Sequence, residues 1–91
     1  MPAKMRMPPI LRPQVGGVRE VDVSGDTLRD ALDDLFERFP GVRSHLVDDD
    51  GNINRFVNVY VANEDVRLGE GLDTTLPSDA TIIVMPAMAG G

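Results

Sequence analysis

Hydrophobic residues repeat with the period of an α-helix between positions 28 and 39. Apolar side chains recur there three and four residues apart, which places them on one continuous face, and charged residues fill the opposite face. Ser24, Asp26 or Thr27 can cap the N-terminus of this helix, and Pro40 ends the pattern. The sequence therefore predicts one amphipathic helix whose buried stripe is formed by Leu28, Ala31, Leu32, Leu35, Phe36 and Phe39.

Two strands are predicted before the helix. Polar and apolar side chains alternate over residues 4–7 and again over residues 18–23. Pro8 and Pro9 have no N–H group to donate to a neighbouring strand, so we expect the first strand to bulge or to lose a partner there. The Gly16-Gly17 pair, flanked by valines, predicts the turn that joins the two strands into a hairpin.

Beyond the helix the pattern returns to strands. Residues 42–55 predict a short helical turn followed by a loop, and residues 56–61 alternate as a strand does. A turn at residues 62–65 and an irregular segment at residues 68–75 lead to the final strand. That strand, residues 80–86, is nearly all apolar, which is typical of a strand with neighbours on both sides.

These elements predict a two-layer α+β fold, because one helix can cover only one face of a sheet of this size. Placing the final strand parallel to the first strand, in the middle of the sheet, gives it two neighbours. The result is the β-grasp arrangement, a mixed sheet of roughly four to five strands with one main helix across one face. We expect this domain to span residues 1–86, and a flexible C-terminal diglycine tail to occupy residues 87–91.

Net charge and hydropathy narrow the classes of partner. With 15 acidic and 9 basic residues, the formal net charge is −6. This charge argues against a nucleic-acid partner and favours a protein with a positive surface, unless it serves only to keep the domain in solution. The apolar runs are shorter than the ~20 residues of a membrane span, and the N-terminus lacks a signal-peptide pattern. We therefore expect a cytoplasmic protein with no membrane partner.

Four features of the sequence bear on side-chain chemistry. Cysteine is absent, which excludes disulfides and thiolate metal sites. His45, the only histidine, has no recognisable catalytic partner. Residues 48–52 (DDDGN) do not match the ligand spacing of an EF-hand calcium loop and favour a solvated turn, and Gly16 and Gly17 lack the lysine and the following helix of a phosphate-binding loop. We therefore predict no metal site and no bound cofactor.

Alternation along the final strand divides its side chains between the two faces of the sheet. Ile82 and Val84 share one face, and Ile83 and Met85 share the other. One of these pairs must lie on the face that the helix does not cover. An exposed apolar pair beside the tail predicts a docking surface for a partner, with self-association as the alternative.

The residues after Pro86 are small or flexible: Ala87, Met88, Ala89, Gly90 and Gly91. Fully extended, they reach roughly 16 Å beyond the sheet. Because glycine has no Cβ, its backbone passes a constriction that excludes other residues. A terminal carboxylate becomes reactive towards nucleophiles once ATP adenylates it, and a diglycine end is suited to a domain that is itself an acyl substrate. A chance pair of glycines is the alternative.

At this point the chain resembles the MoaD/ThiS/CysO-type sulfur carriers of the ubiquitin-like β-grasp family, and in particular the CysO-type carriers of cysteine biosynthesis in actinobacteria. The resemblance covers essentially the whole chain, and its most specific parts are residues 55–67 and the terminal MPAMAGG. The segments that carry it are ILRP (10–13), the Gly16-Gly17 pair, SGDTL (24–28), RFVNVYVANEDVR (55–67) and MPAMAGG (85–91).

The resemblance implies a mechanism centred on Gly91. An E1-like enzyme would adenylate the Gly91 carboxylate with ATP, and sulfur from that enzyme or from a sulfurtransferase would displace AMP and leave a thiocarboxylate. The acceptor implied is an aminoacrylate on a PLP-dependent cysteine synthase, after which a metallopeptidase frees cysteine; thiamine, molybdopterin or secondary metabolites are other destinations. The chain would be a carrier and co-substrate and not an enzyme. Its partners would hold it by Met85, Pro86, Ala87, Met88, Ala89 and Gly90.

Three other functions remain open at this stage. A ubiquitin-like modifier would use the same terminal chemistry to form isopeptide bonds with lysines. A small noncovalent subunit, as in a molybdopterin-synthase-like complex, would complete another protein's active site. A β-grasp interaction module would need no reactive tail at all.

Overall fold

The computed structural model describes residues 2–86, so Met1 and residues 87–91 are outside the described part of the chain. Its strands and helices are β1 (Pro2–Arg6), β2 (Glu20–Ser24), α1 (Leu28–Arg38), α2 (Arg43–Leu46), β3 (Val57–Val61), β4 (Glu64–Asp65) and β5 (Thr81–Pro86). Short 3₁₀ helices cover Pro9–Val15, Pro40–Val42, Val66–Leu68 and Gly71–Asp73. The predicted order of two strands, one main helix and further strands is confirmed.

The strands form one mixed sheet in the order β2-β1-β5-β3-β4. β1 and β5 run parallel, and the other neighbouring pairs are antiparallel. The final strand therefore lies in the middle of the sheet beside the first strand, as its apolar composition predicted. The fold is α+β, with helices and a five-stranded sheet.

The core lies on the side of the sheet that α1 covers. Ile82 of β5 and Met5 of β1 are fully buried, in the same cluster as Leu28 and Leu35 of α1. Thr27 is the cap among the three expected residues, since its Oγ1 accepts the backbone N–H of Asp30 at 3.3 Å. A cap of this kind stabilises a helix by about 1 kcal/mol. Four residues of the predicted stripe, Leu28, Ala31, Leu32 and Leu35, are buried as predicted, whereas Phe36 and Phe39 are half-buried against the core.

The connection between β1 and β2 corrects two expectations. The chain does not bulge within a strand at the proline pair, because β1 has already ended and the 3₁₀ helix Pro9–Val15 begins there. Gly16 ends that helix with a φ of 75° and is not part of a two-residue hairpin turn. Proline is favourable in a first helical turn, and Leu11 and Val15 are buried in the core, which holds this segment in place. β1 and β2 still pair as the predicted antiparallel hairpin.

The segment predicted as a turn at residues 62–65 is half turn and half strand. Ala62 and Asn63 have φ values of 52° and 70°, the left-handed pair that a type I′ hairpin turn requires. Glu64 and Asp65 then form β4, which pairs with the end of β3 at the edge of the sheet. A two-residue strand carries too little alternation to be recognised in sequence.

Candidate functional site

One face of the sheet is left uncovered by α1, and we call it the open face. Ile82 and Val84 are buried in the core, whereas Ile83 is half-buried and Met85 is 49% exposed. The pair Ile83 and Met85 therefore lies on the open face, which decides between the two pairs that the sequence left open. Pairing across the strands brings one side chain from each strand into a row on this face: Glu20, Arg6, Ile83, Tyr60 and Asp65.

Met85 and Pro86 end β5, and we call them the tail root because residues 87–91 follow them in the sequence. The parallel pairing of β5 with β1 stops at Ile83, while its antiparallel pairing with β3 continues to Pro86. The chain leaves β1 at the proline pair, which has no N–H groups to continue the ladder. The end of β5 therefore has a strand neighbour on the β3 side only, and a groove opens on the other side.

The groove on the β1 side of the tail root has a volume of about 730 Å³ and a basic lining. We call it the arginine groove, after Arg6, Arg12 and Arg19. The Nε of Arg12 donates to the backbone carbonyl of Met7 at 3.3 Å, and Arg12 is half-buried. The Nε of Arg6 lies 3.7 Å from a carboxylate oxygen of Glu20. Arg19 is exposed and makes no ion pair within residues 2–86.

A second groove, of about 250 Å³, also reaches Pro86, and we call it the apolar groove because most of its lining residues are apolar: Pro8, Ile10, Leu11, Phe56, Val57 and Pro86. Ile10 and Phe56 are the large hydrophobic residues there, 74% and 60% exposed. The guanidinium carbon of Arg55 lies 5.0 Å from the centroid of the Phe56 ring, a distance at which a cation and a ring attract. Pro86 thus borders both the arginine groove and the apolar groove.

Neither groove has a direct signal in the sequence. Arg6 belongs to β1, Arg12 to the 3₁₀ helix Pro9–Val15, and Arg19 lies directly before β2; that 3₁₀ helix was not predicted. One signal was present, because the predicted hairpin of β1 and β2 already implies that Arg6 and Arg19 meet at the same end of the sheet. The register confirms this, with Arg6 opposite Glu20.

The weaker sequence candidates occupy ordinary structural positions. His45 is exposed and lines the apolar groove. In residues 48–52, one carboxylate oxygen of Asp48 accepts the backbone N–H groups of Asp50 and Asn52 at 2.9 and 3.0 Å, so this carboxylate closes a turn. Within residues 2–86, no group of three or more acidic or histidine side chains is arranged to hold a metal ion. The helices in the same range are all too short or too polar to cross a membrane.

Most of the predicted site residues are outside the described part of the chain. Met85 and Pro86 are described, and both are exposed at the end of β5. The other partner-binding predictions and the reactive terminus lie beyond residue 86: Ala87, Met88, Ala89, Gly90 and Gly91. Their roles, and the division between a domain at 1–86 and a tail at 87–91, therefore stay predictions.

Comparison with known proteins supports the resemblance drawn from the sequence. The profile of the ThiS family matches residues 7–91. The sulfur carrier protein CysO of Mycobacterium tuberculosis is 41% identical over 93 residues, which cover 100% of both chains. The small archaeal modifier protein 1 of Haloferax volcanii is 37% identical over 81 residues, which cover 86% of this chain and 88% of the modifier.

A solved structure shares the fold along its whole length. The crystal structure of the BexX/CysO complex of Amycolatopsis orientalis contains a chain that superposes with a TM-score of 0.89 and is 37% identical. The superposition covers 98% of this chain and 99% of that one. The predicted ubiquitin-like β-grasp fold and the resemblance to sulfur carriers are confirmed.

Proposed function

Because the chain belongs to the ThiS family and is homologous to the sulfur carrier protein CysO, we propose that it carries sulfur as a thiocarboxylate on Gly91. In the first step, the Gly91 carboxylate attacks the α-phosphorus of ATP on an E1-like enzyme, and pyrophosphate leaves. A sulfur nucleophile at the oxidation level of sulfide then attacks the acyl carbon, and AMP leaves. ATP is consumed by the activating enzyme, and the carrier itself holds no cofactor.

The observation that most supports this function is the position of Pro86. It ends the central strand of the sheet, next to exposed Met85, so the residues that follow it start from a strand that is paired on both sides along part of its length. Ile82 and Val84 anchor that strand in the core. A partner can therefore draw the chain beyond residue 86 into a narrow cleft without pulling the sheet apart.

The open face beside the tail root is the proposed docking surface for the activating enzyme. Ile83 and Met85 supply its apolar centre, and Tyr60 lies next to Ile83 across the strand pair. Exposed apolar side chains surrounded by polar ones are typical of a surface that binds a partner. The carrier would thus be recognised by its sheet and modified at its end, which makes it a co-substrate and not an enzyme.

For the sulfur acceptor we propose a PLP-dependent cysteine synthase, with a metallopeptidase releasing cysteine afterwards. The full-length identity with CysO supports this choice over thiamine, molybdopterin or other products. The CysO chain of Amycolatopsis orientalis was solved in a complex with BexX, and this precedent supports direct binding between a chain of this kind and a second protein. In each case the thiocarboxylate sulfur attacks an electrophile that the acceptor enzyme holds.

Intact-mass spectrometry tests the proposal. The chain is incubated with ATP, a sulfide source and the E1-like enzyme of the same organism. We expect a mass increase equal to exchanging one oxygen for one sulfur, located in the terminal peptide. A matched chain with alanine appended after Gly91 should keep its mass. If the added sulfur of the original chain is located in any peptide other than the terminal one, the modification is not at the Gly91 carboxylate and the proposal is wrong.

A ubiquitin-like modifier is the second candidate, and the identity with the small archaeal modifier protein 1 favours it. The same adenylated carboxylate would then react with a lysine amine of a target, forming an isopeptide bond as AMP leaves. Discrete high-mass conjugates that survive reduction in cell extracts would support this function. If the thiocarboxylate is present and the conjugates are absent, only the carrier function is supported.

A further inference from the structure

We propose that the arginine groove binds an acidic segment of the activating enzyme and thereby positions the tail root for adenylation. This inference rests on the proposed function and adds a specific recognition element to it. The occupant is a stretch of aspartate or glutamate side chains on the enzyme surface, at the entrance of the cleft that receives the tail.

The first argument is the local reversal of charge. The whole chain has a formal net charge of −6, yet the arginine groove contains three arginines and a single acidic residue, Glu20. Glu20 pairs with Arg6, so it offsets only one of the three positive charges. A positive site on an acidic protein attracts a negative surface and fixes the orientation in which the two proteins meet.

The second argument is geometric. The hydrogen bond from Arg12 to the carbonyl of Met7 uses only its Nε, which leaves the terminal nitrogens of the guanidinium to bind a carboxylate. Half-burial of Arg12 reduces the side-chain freedom that is lost on binding. Arg19 makes no ion pair within residues 2–86 and so has no internal ion pair to give up. Guanidinium groups bind carboxylates in paired hydrogen bonds, which gives directional recognition.

The third argument is continuity with the proposed docking surface. Arg6 belongs both to the groove and to the open face, where it lies opposite Ile83. An enzyme that covers Ile83 and Met85 therefore extends directly over the groove. The phosphates of ATP are an unsuitable occupant, because Gly91 is five residues beyond Pro86 and roughly 16 Å away when the chain is extended.

The test is ATP–pyrophosphate exchange by the E1-like enzyme, measured against carrier concentration. Arg19→Glu should raise the KM for the carrier about tenfold at low salt and leave kcat unchanged, because the reacting carboxylate is distant. The increase should shrink as salt is raised. Arg43→Glu is the control, since it makes the same change in net charge at an exposed site outside the groove. Arg19→Lys keeps the charge but loses the paired hydrogen bonds of the guanidinium, so its KM should lie between those of the original chain and Arg19→Glu.

The outcomes separate the two proposals. If the unmodified chain supports no exchange, the proposed function is overturned and this inference with it. If the unmodified chain is active and Arg19→Glu behaves like Arg43→Glu, only the inference is overturned. Sedimentation of the carrier alone tests a second copy as the occupant: a dimer that Arg19→Glu dissociates would assign the groove to self-association and contradict an acidic enzyme segment. Thermal unfolding of each variant verifies that it is folded.

Discussion

Arg6 lies opposite Ile83 at the last paired position of the parallel strands β1 and β5. Beyond this position β5 continues to Pro86 without β1, and the space that β1 leaves becomes the arginine groove. The proline pair after β1 is therefore more than an interruption of a strand. By ending β1 early, it opens one side of the strand that leads into the tail.

Ile82 and Met85, three residues apart in β5, should respond very differently to substitution, the first in stability and the second in binding. Ile82→Ala removes a fully buried side chain and should lower the free energy of unfolding by about 2–5 kcal/mol. Met85→Asp changes a residue that is 49% exposed, so it should alter the free energy of unfolding by less than about 1 kcal/mol. It should raise the KM for the carrier in adenylation roughly tenfold, because it places a charge in an apolar contact with the enzyme. Urea unfolding and pyrophosphate exchange measure the two effects. An unchanged KM for Met85→Asp would contradict docking through the open face.

Gly25 is required at the start of α1 for a steric reason. A Cβ at this position would lie 2.6 Å from the Cβ of Asp30 and 2.7 Å from the backbone N of Ala31. Gly25→Ala should therefore lower the free energy of unfolding by about 1–3 kcal/mol. The control is Gly41→Ala, whose Cβ would meet only the end of the Gln14 side chain, at 3.1 Å. Equal stability of the two variants in urea would mean that the helix shifts freely to admit the methyl group.

Lys4 is the only lysine in the sequence, so it is the only side-chain amine through which one copy of the chain could be joined to another. If the protein acts as a modifier, any isopeptide link between two copies must use this side chain. Lys4→Arg should then abolish self-linked products and leave thiocarboxylate formation unchanged, because arginine keeps the charge on the open face. Mass spectrometry of tryptic peptides detects both products. Self-linked chains that persist in Lys4→Arg would have to be joined through the N-terminal amine.

The helix and the sheet were predictable because their signals are strong and local. Leu28, Ala31 and Leu35 mark one helix face, and the apolar run that contains Ile82 and Val84 is suited to the middle of a sheet. The 3₁₀ helix Pro9–Val15 was missed because its prolines disfavour both the helical and the strand pattern. Its buried side chains pack into a core formed by residues that are distant in the sequence, which local patterns do not reveal.

The arginine groove could not be predicted for a related reason. It depends on where β1 ends relative to β5, and that register is a property of the folded sheet. Sequence spacing gave no indication that Arg12 would return to the same end of the sheet as Arg6 and Arg19. The open face was easier to predict, because strand alternation limits its residues from β5 to one of two pairs, Ile82 with Val84 or Ile83 with Met85.

The insertion of β5 between β1 and β3 also constrains when the domain can be completed during synthesis. β1 is made first, but its parallel neighbour emerges from the ribosome only after α1 and β3, so the sheet cannot close until residue 86 is available. Contacts of such wide sequence separation form late, because a long loop must be closed first. A nascent chain that has not reached residue 86 therefore lacks the assembled sheet on which the proposed docking of an activating enzyme depends.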